Sequence, residues 1–359
     1  MSEWKKVKLG DILQVKKGEY ITKKEAHDGI YPVILGGKEP AYYIDKYNHT
    51  GKAIVISRSG ASAGYVSFWN EPIFVTDGFL IEPKDTLTYE FLYYALKSKQ
   101  SLLHNAQKGA AIPHVTPSLI GDIDFFLPSA DTQHRIATIL SRYDSLIENY
   151  QKQIKLLEEA AQRLYKEWFV DLHFPGHENT KIVDGVPEGW VLSHLGQLAE
   201  FKRGKTITKK DAVEGDIPVV AGGLAPAYYC NKSNTAERVI TVSGSGANAG
   251  FTRMYFEKVW ASDCSFVDAS TTPFLRFVYC YLKDNKTTID NMQKGAAQPH
   301  VYAKDINSLE LCIPIENVLK SFEEKASKYF DTISSLQTQI RLLTESRDRL
   351  LPKLIGREI

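Results

Sequence analysis

The feature that most constrains this chain is that it is written twice. Residues from about 4 to 130 recur at a constant offset of 186. Trp4 returns as Trp190, Leu9-Gly10 as Leu195-Gly196, Ile21-Thr22-Lys23-Lys24 as Ile207-Thr208-Lys209-Lys210, and Pro40-Ala41-Tyr42-Tyr43 as Pro226-Ala227-Tyr228-Tyr229. The longest echo sets Gln107–Val115 against Gln293–Val301, with only Ile112 replaced, by Gln298. The period is too long for a solenoid, and two copies of one domain make a pseudo-dimer within one chain.

Each copy has two parts. The first alternates short Val/Ile/Tyr/Phe runs with Gly and Pro, as in Ala53-Ile54-Val55-Ile56-Ser57 and Val239-Ile240-Thr241-Val242-Ser243, and reads as strands joined by tight turns. One amphipathic helix is expected inside each, around Tyr89–Ala106 and Phe274–Met292. The second part is a long helix. Ile136, Leu140, Tyr143, Ile147, Tyr150, Ile154, Leu157, Ala161, Leu164 and Trp168 alternate spacings of four and three, a sustained heptad seam. Copy two repeats it as Phe322, Ala326, Tyr329, Ile333, Leu336, Ile340, Leu343, Arg347, Leu350 and Leu354, where only Arg347 breaks the pattern.

A helix over Asp131–Phe169 would be roughly 58 Å long at 1.5 Å per residue. Its seam needs a partner, and the nearest is the other copy's helix. To pair, that helix must run back antiparallel, leaving the globular domains at opposite ends of a rod. The expected fold is therefore α+β: two similar mixed globular domains separated by two long antiparallel helices and related by a pseudo-two-fold. Expected boundaries are 1–130 for the first domain, 131–172 for its helix, 173–188 for a linker, 189–315 for the second domain and 316–359 for the second helix.

The length of 359 residues suits two domains. With 44 Lys+Arg against 43 Asp+Glu, the total charge announces no polyanion partner, so any nucleic-acid surface must come from local clustering. No apolar run approaches the roughly 20 residues that span a bilayer, and Met1–Lys6 lacks the apolar stretch of a signal peptide. Cys230, Cys264, Cys280 and Cys312 all lie in the second half without a CxxC pair, which argues against a disulfide framework or zinc ribbon. A cytoplasmic chain with no membrane contact is expected.

Catalytic patterns mostly fail. The phosphate loop GxxxxGK[ST], the HExxH helix and the Asn/Asp-Pro-Pro-aromatic signature of amino-methyltransferases are missing. Gly244–Gly250 imitates a dinucleotide loop with the wrong spacing and reads more simply as a glycine turn. Asp77 with Glu82-Pro83-Lys84 imitates a nuclease centre, but copy two keeps Asp263 and loses the lysine, so a solvated strand end is the reading. His173 and His177 flank Pro175-Gly176, which forbids a ligating helix. No metal site and no catalytic residue is expected.

What remains is positive charge at matched places. Residues 1–24 carry seven Lys/Arg and three acids, and residues 190–210 carry five and one. Lys16, Lys17, Lys23 and Lys24, with Lys202, Arg203, Lys205, Lys209 and Lys210, are candidates for phosphate contacts from two modules on one duplex. Arg58, Ser59 and Ser62, with Ser245 and Asn248, sit on Gly-rich loops that can offer side chains to base edges. Lys108, His114, Lys294 and His300 belong to the longest echo, which reads either as a packed turn or as a further nucleic-acid contact. A solvated basic face explains one copy; recurrence in both favours DNA. Reading successive major grooves needs centres roughly 34 Å apart, within reach of modules flanking a long rod.

At this point the chain resembles the specificity subunit of Type I restriction-modification systems over essentially its whole length. The resemblance rests on Trp4 to Leu9-Gly10 and Trp190 to Leu195-Gly196, on Gln133-His134-Arg135-Ile136-Ala137, and on Glu167-Trp168-Phe169-Val170-Asp171. Phe174-Pro175-Gly176 and Val186-Pro187-Glu188-Gly189-Trp190 complete it. Copy two departs where Leu319 to Phe322 replaces Gln-His-Arg-Ile. The resemblance implies two target-recognition domains, each reading half of a bipartite site in double-stranded DNA. It also implies two docked methylation subunits, restriction subunits held through them, and no cofactor in this chain. S-adenosylmethionine, ATP and Mg would then belong to the partners. Because the two domains are alike, related and inverted half-sites are expected. A stand-alone nuclease or methyltransferase, and a pure protein-interaction scaffold, are the competing readings.

Overall fold

The structure is a computed structural model that describes residues 4–22, 24–37, 39–60, 62–84, 87–105, 114–293 and 299–356. It divides into two compact units, Met1–Asn149 with Gln339–Ile359, and Tyr150–Thr338. Each unit takes one globular domain together with parts of both long helices.

The first unit is organised around the strand Lys52–Ser57, at the interior of a four-stranded antiparallel sheet with Val66–Asn70 on one side and Gly78–Pro83, then Leu13–Lys17, on the other. Its unbroken apolar run follows from burial on both faces. Ile54 and Ile56 enter a core with Phe91 and Leu92 of the helix Tyr89–Ser98, while Ala53 and Val55 face Ile34, Ile73 and Val75. The latter come partly from a three-stranded sheet of Tyr43–Ile44, Asp28–Ile34 and Phe74–Val75. The second unit repeats this plan. Ile240 and Val242 pack with Phe277 and Val278, and Val239 faces Val220, Val259 and Ala261. Fully burying one such isoleucine contributes about 2 kcal/mol, so these two strands anchor their units.

A two-stranded ladder closes each globular domain. Lys5–Lys8 runs antiparallel to Asp124–Leu127, and Val191–His194 to Glu310–Ile313. The domain's two ends thus meet where its long helix begins. The expected single inner helix is instead two in each copy: Tyr89–Ser98 with Gln100–Asn105, and Leu275–Asp284 with Lys286–Asn291. Lys99 (ψ 9°) and Asn285 (ψ 19°) leave helical geometry and bend the chain, letting Leu103 and Ile289 turn into their cores. Apolar periodicity continues through such a bend, which is why the sequence reads as one helix.

The long helices span Ala130–Phe169 and Glu316–Ile355. In the first unit Arg347 meets Asp144, and Leu351 and Ile355 share a core with Ile136 and Leu140. In the second, Trp168 lies against Phe322 with ring centroids 5.9 Å apart, and Lys325 sits over the Trp168 ring. The early part of one helix therefore meets the late part of the other, an antiparallel pairing.

The seam residues have two kinds of neighbour. Ile136, Leu140, Ile147, Ile333 and Leu336 are buried, and Tyr143, Ile154, Leu157, Leu164, Tyr329, Ile340, Leu343 and Leu350 are half-buried. Ile136 and Leu140 share their core with Phe91 and Phe125 of the globular domain, and Ile333 shares one with Phe277. Ala137, Tyr165, Phe330, Leu351 and Ile355 are also buried, so the apolar stripe is wider than an a/d seam. Arg347, the break in the pattern, donates to Asp144 Oδ1 at 2.5 Å, and Tyr94 Oη donates to Asp144 Oδ2 at 2.6 Å.

Candidate nucleic-acid interface

The basic residues at the start of each copy are delivered by strand ends and a close glycine approach. Lys17 pairs with Phe79, and Arg203 with Ser265, in corresponding ladders. A Cβ on the following Gly18 would stand 2.5 Å from Thr76 O, and one on Gly204 would press even closer on Ser262 O. Only glycine lets the chain cross there, so the Lys-Lys-Gly and Arg-Gly motifs fix where the cations emerge. Lys16 is half-exposed and ion-paired to Glu82 at 2.7 Å, whereas Lys17, Lys202, Arg203 and Lys205 are exposed.

The Gly-rich loops are tied to the same strands. Ser59 Oγ donates to Asp77 Oδ2, and Ser245 Oγ donates to Asp263 Oδ2. Asp77 and Asp263 are therefore not simply solvated strand ends; each holds a loop serine across the sheet. Isolated bridges join Ser59 to His114 and Ser245 to His300, so the end of the longest echo lies beside the Gly-rich loop in both copies. In the second unit these residues surround a cleft of about 380 Å³ lined by Arg203, Ser245, Asp263, Cys264, His300 and Tyr302, among others. The His300 ring stacks on Tyr302, with centroids 5.9 Å apart and an interplanar angle of 12°.

Other candidates lie elsewhere. Lys24, Lys209 and Lys210 are exposed, and neither Lys209 nor Lys210 lines the cleft. Asn248 is half-buried and donates to Gly222 O at 3.4 Å, and Ser62 is half-buried on its turn. Lys23, Lys108 and Lys294 lie outside the described residues. Among the described residues no cluster of His, Cys, Asp and Glu has a metal-binding arrangement. Burial pushes the Cys264 thiol up to about 12, so this cleft residue is no nucleophile at neutral pH. The two aspartates were the loop-tying positions hardest to see in sequence, because a lone Asp before a strand carries no signal until its serine partner is known.

The family model for the Type I restriction modification DNA specificity domain matches residues 1–159 and again 187–347. The chain belongs to that family. Relatives among specificity subunits include that of the Type I restriction enzyme MjaIX from Methanocaldococcus jannaschii, 29% identical over 86% of this chain and 78% of its own length. A putative Type I specificity subunit from Mycoplasma genitalium is 27% identical over 98% of this chain and 93% of its own. Among solved structures, the S subunit of a Type I restriction-modification system from M. genitalium has the same fold, with a TM-score of 0.60 at 23% identity over 99% of this chain and 96% of that one. Specificity subunits are non-catalytic members of their systems, with catalysis in partner subunits. This specificity-domain chain is a DNA sequence-specificity subunit. Among the described residues no helix is long and apolar enough to cross a membrane.

Proposed function

We propose that this chain reads a bipartite DNA site, one half with each globular domain, and serves as the scaffold on which two methylation subunits assemble, with restriction subunits held through them. The supporting observation is that the family match, the basic strand end and the serine-aspartate-tied loop all occur once in each copy. Duplication of the long helices favours two equivalent docking surfaces. In this reading S-adenosylmethionine, ATP and Mg are bound by the partners, in the cytoplasm where the DNA lies. An adenine inside a duplex is out of reach of a methyl donor, so the methylation subunits flip it out while this chain sets which adenine they reach. Lys17 and Arg203 contact phosphate, fixing position, and the loops carrying Ser59 and Ser245 face base edges, fixing sequence.

The test is binding of the full chain, with its methylation subunits, to duplexes at several salt concentrations. Selective binding whose affinity falls steeply with salt is expected. Replacing Lys16 and Lys17 by Ala should weaken binding to all sequences alike and make the salt dependence shallower by about one power for each phosphate that is no longer neutralised. Sequence-independent binding, or selectivity unaffected by removal of this chain, would overturn the reading.

A further inference from the structure

The two copies build one loop in the same way and then differ at a single position within it. The offset of 186 pairs Asp77 with Asp263, Ser59 with Ser245 and Arg58 with Gly244. In both, the backbone N–H of the position before the serine donates to the aspartate carbonyl, Arg58 to Asp77 at 3.2 Å and Gly244 to Asp263 at 3.1 Å. In both, the serine hydroxyl donates to the carboxylate. In the first unit Arg58 Nε then stands 3.6 Å from Asp77 Oδ1, leaving the guanidinium about one-third exposed. In the second unit there is no side chain at that place; Asp263 lines an open cleft with Arg203, Ser245 and His300, and among the described residues no cation is ion-paired to it.

These two surfaces have opposite preferences. An arginine anchored through Nε keeps its terminal nitrogens for a bidentate contact with guanine O6 and N7 and loses less freedom on binding than a loose one. A carboxylate with no ion-paired cation repels phosphate and the O6 or O4 acceptors of guanine and thymine, yet its oxygens can accept from the exocyclic amine of cytosine or adenine. Resting on the DNA-reading function above, we infer that Arg58 and Asp263 are the specificity-determining residues of their loops. Arg58, braced by Asp77, reads a guanine in one half-site; Asp263, uncovered by Gly244, reads an amine-bearing base in the other. The half-sites therefore differ at this position although the two domains are otherwise alike.

The experiment selects from duplexes randomised in both half-sites, using the full chain assembled with its methylation subunits. For Asp263→Asn, whose amide also donates, preference for the amine-bearing base should fall about tenfold at one position of one half-site while the other half-site keeps its motif. Gly244→Arg should turn that position toward guanine. The first copy already carries arginine at the equivalent place with the same backbone hydrogen bond, so this variant also serves if Asp263→Asn does not fold. Arg58→Ala should relax a guanine in the opposite half-site only. Motifs unchanged in Gly244→Arg and Arg58→Ala would overturn this inference while leaving the DNA-reading function standing. An unaltered complex that selects no sequence at all would overturn both.

Discussion

Arg347 interrupts an otherwise apolar seam, and its replacement by Ala tests how the first unit holds its helices. The guanidinium donates to Asp144 Oδ1 at 2.5 Å and to Asp348, with the Arg347 and Asp144 side chains 19% and 31% exposed. Burial works against its charge, yet the hydrogen bonds to Asp144 and Asp348 hold its pKa above the ordinary value. Exposed pairs contribute up to about 1 kcal/mol, and removing one partner of a fully buried pair costs about 3–5 kcal/mol. Intermediate exposure places Arg347→Ala near 2 kcal/mol, because among the described residues Asp144 would then keep the Tyr94 hydroxyl as its one hydrogen-bond partner. In urea, with a slope of about 2 kcal/mol per molar, that lowers the unfolding midpoint by about 1 M. The double variant Asp144→Ala/Arg347→Ala removes the orphaned charge and should lose less than the two single variants added together, giving a coupling of about 1 kcal/mol. A shift below about 0.3 M for Arg347→Ala, or strict additivity in the cycle, would refute the argument that this pair bridges the helices.

At the positions equivalent to Tyr94, Asp144 and Arg347 the second unit holds Cys280, Phe330 and Ala161, all buried in one core; the triple exchange into the first unit should therefore be neutral or stabilising by thermal unfolding, since apolar packing replaces a half-buried ion pair. Burial, and then the charge of Glu310, push the Tyr281 hydroxyl up to about 12. The unfolded phenol ionises first, near pH 10, so stability is kept below that and is lost as pH rises through 12; Tyr281→Phe should flatten urea midpoints across this window. Cys312 is half-exposed while Cys230, Cys264 and Cys280 are buried, so one thiol should react promptly with an aromatic disulfide reagent and three only on unfolding.

Much of the architecture was legible in sequence because it is periodic. The offset between Trp4 and Trp190 announces two copies, and the spacing from Ile136 to Trp168 announces the long helix. What stayed hidden depends on contacts between distant segments. The bends at Lys99 and Asn285 interrupt no apolar pattern. The width of the buried stripe, with Tyr165 and Phe330 beside the seam, is set by globular cores packing on helices that a heptad count treats as partners only of each other. In the candidate interface the cations were visible as recurring charge. The ties of Ser59 to Asp77 and Ser245 to Asp263 bridge 18 positions each, and neither composition nor local spacing encodes them.

Mapping methylated adenines across a genome, in matched cells with and without this chain, tests most directly whether it confers sequence choice on its partners. Disappearance of one two-part motif, with all other methylation retained, is the expected result. An unchanged methylation map in cells whose methylation subunits are intact and active would contradict the account.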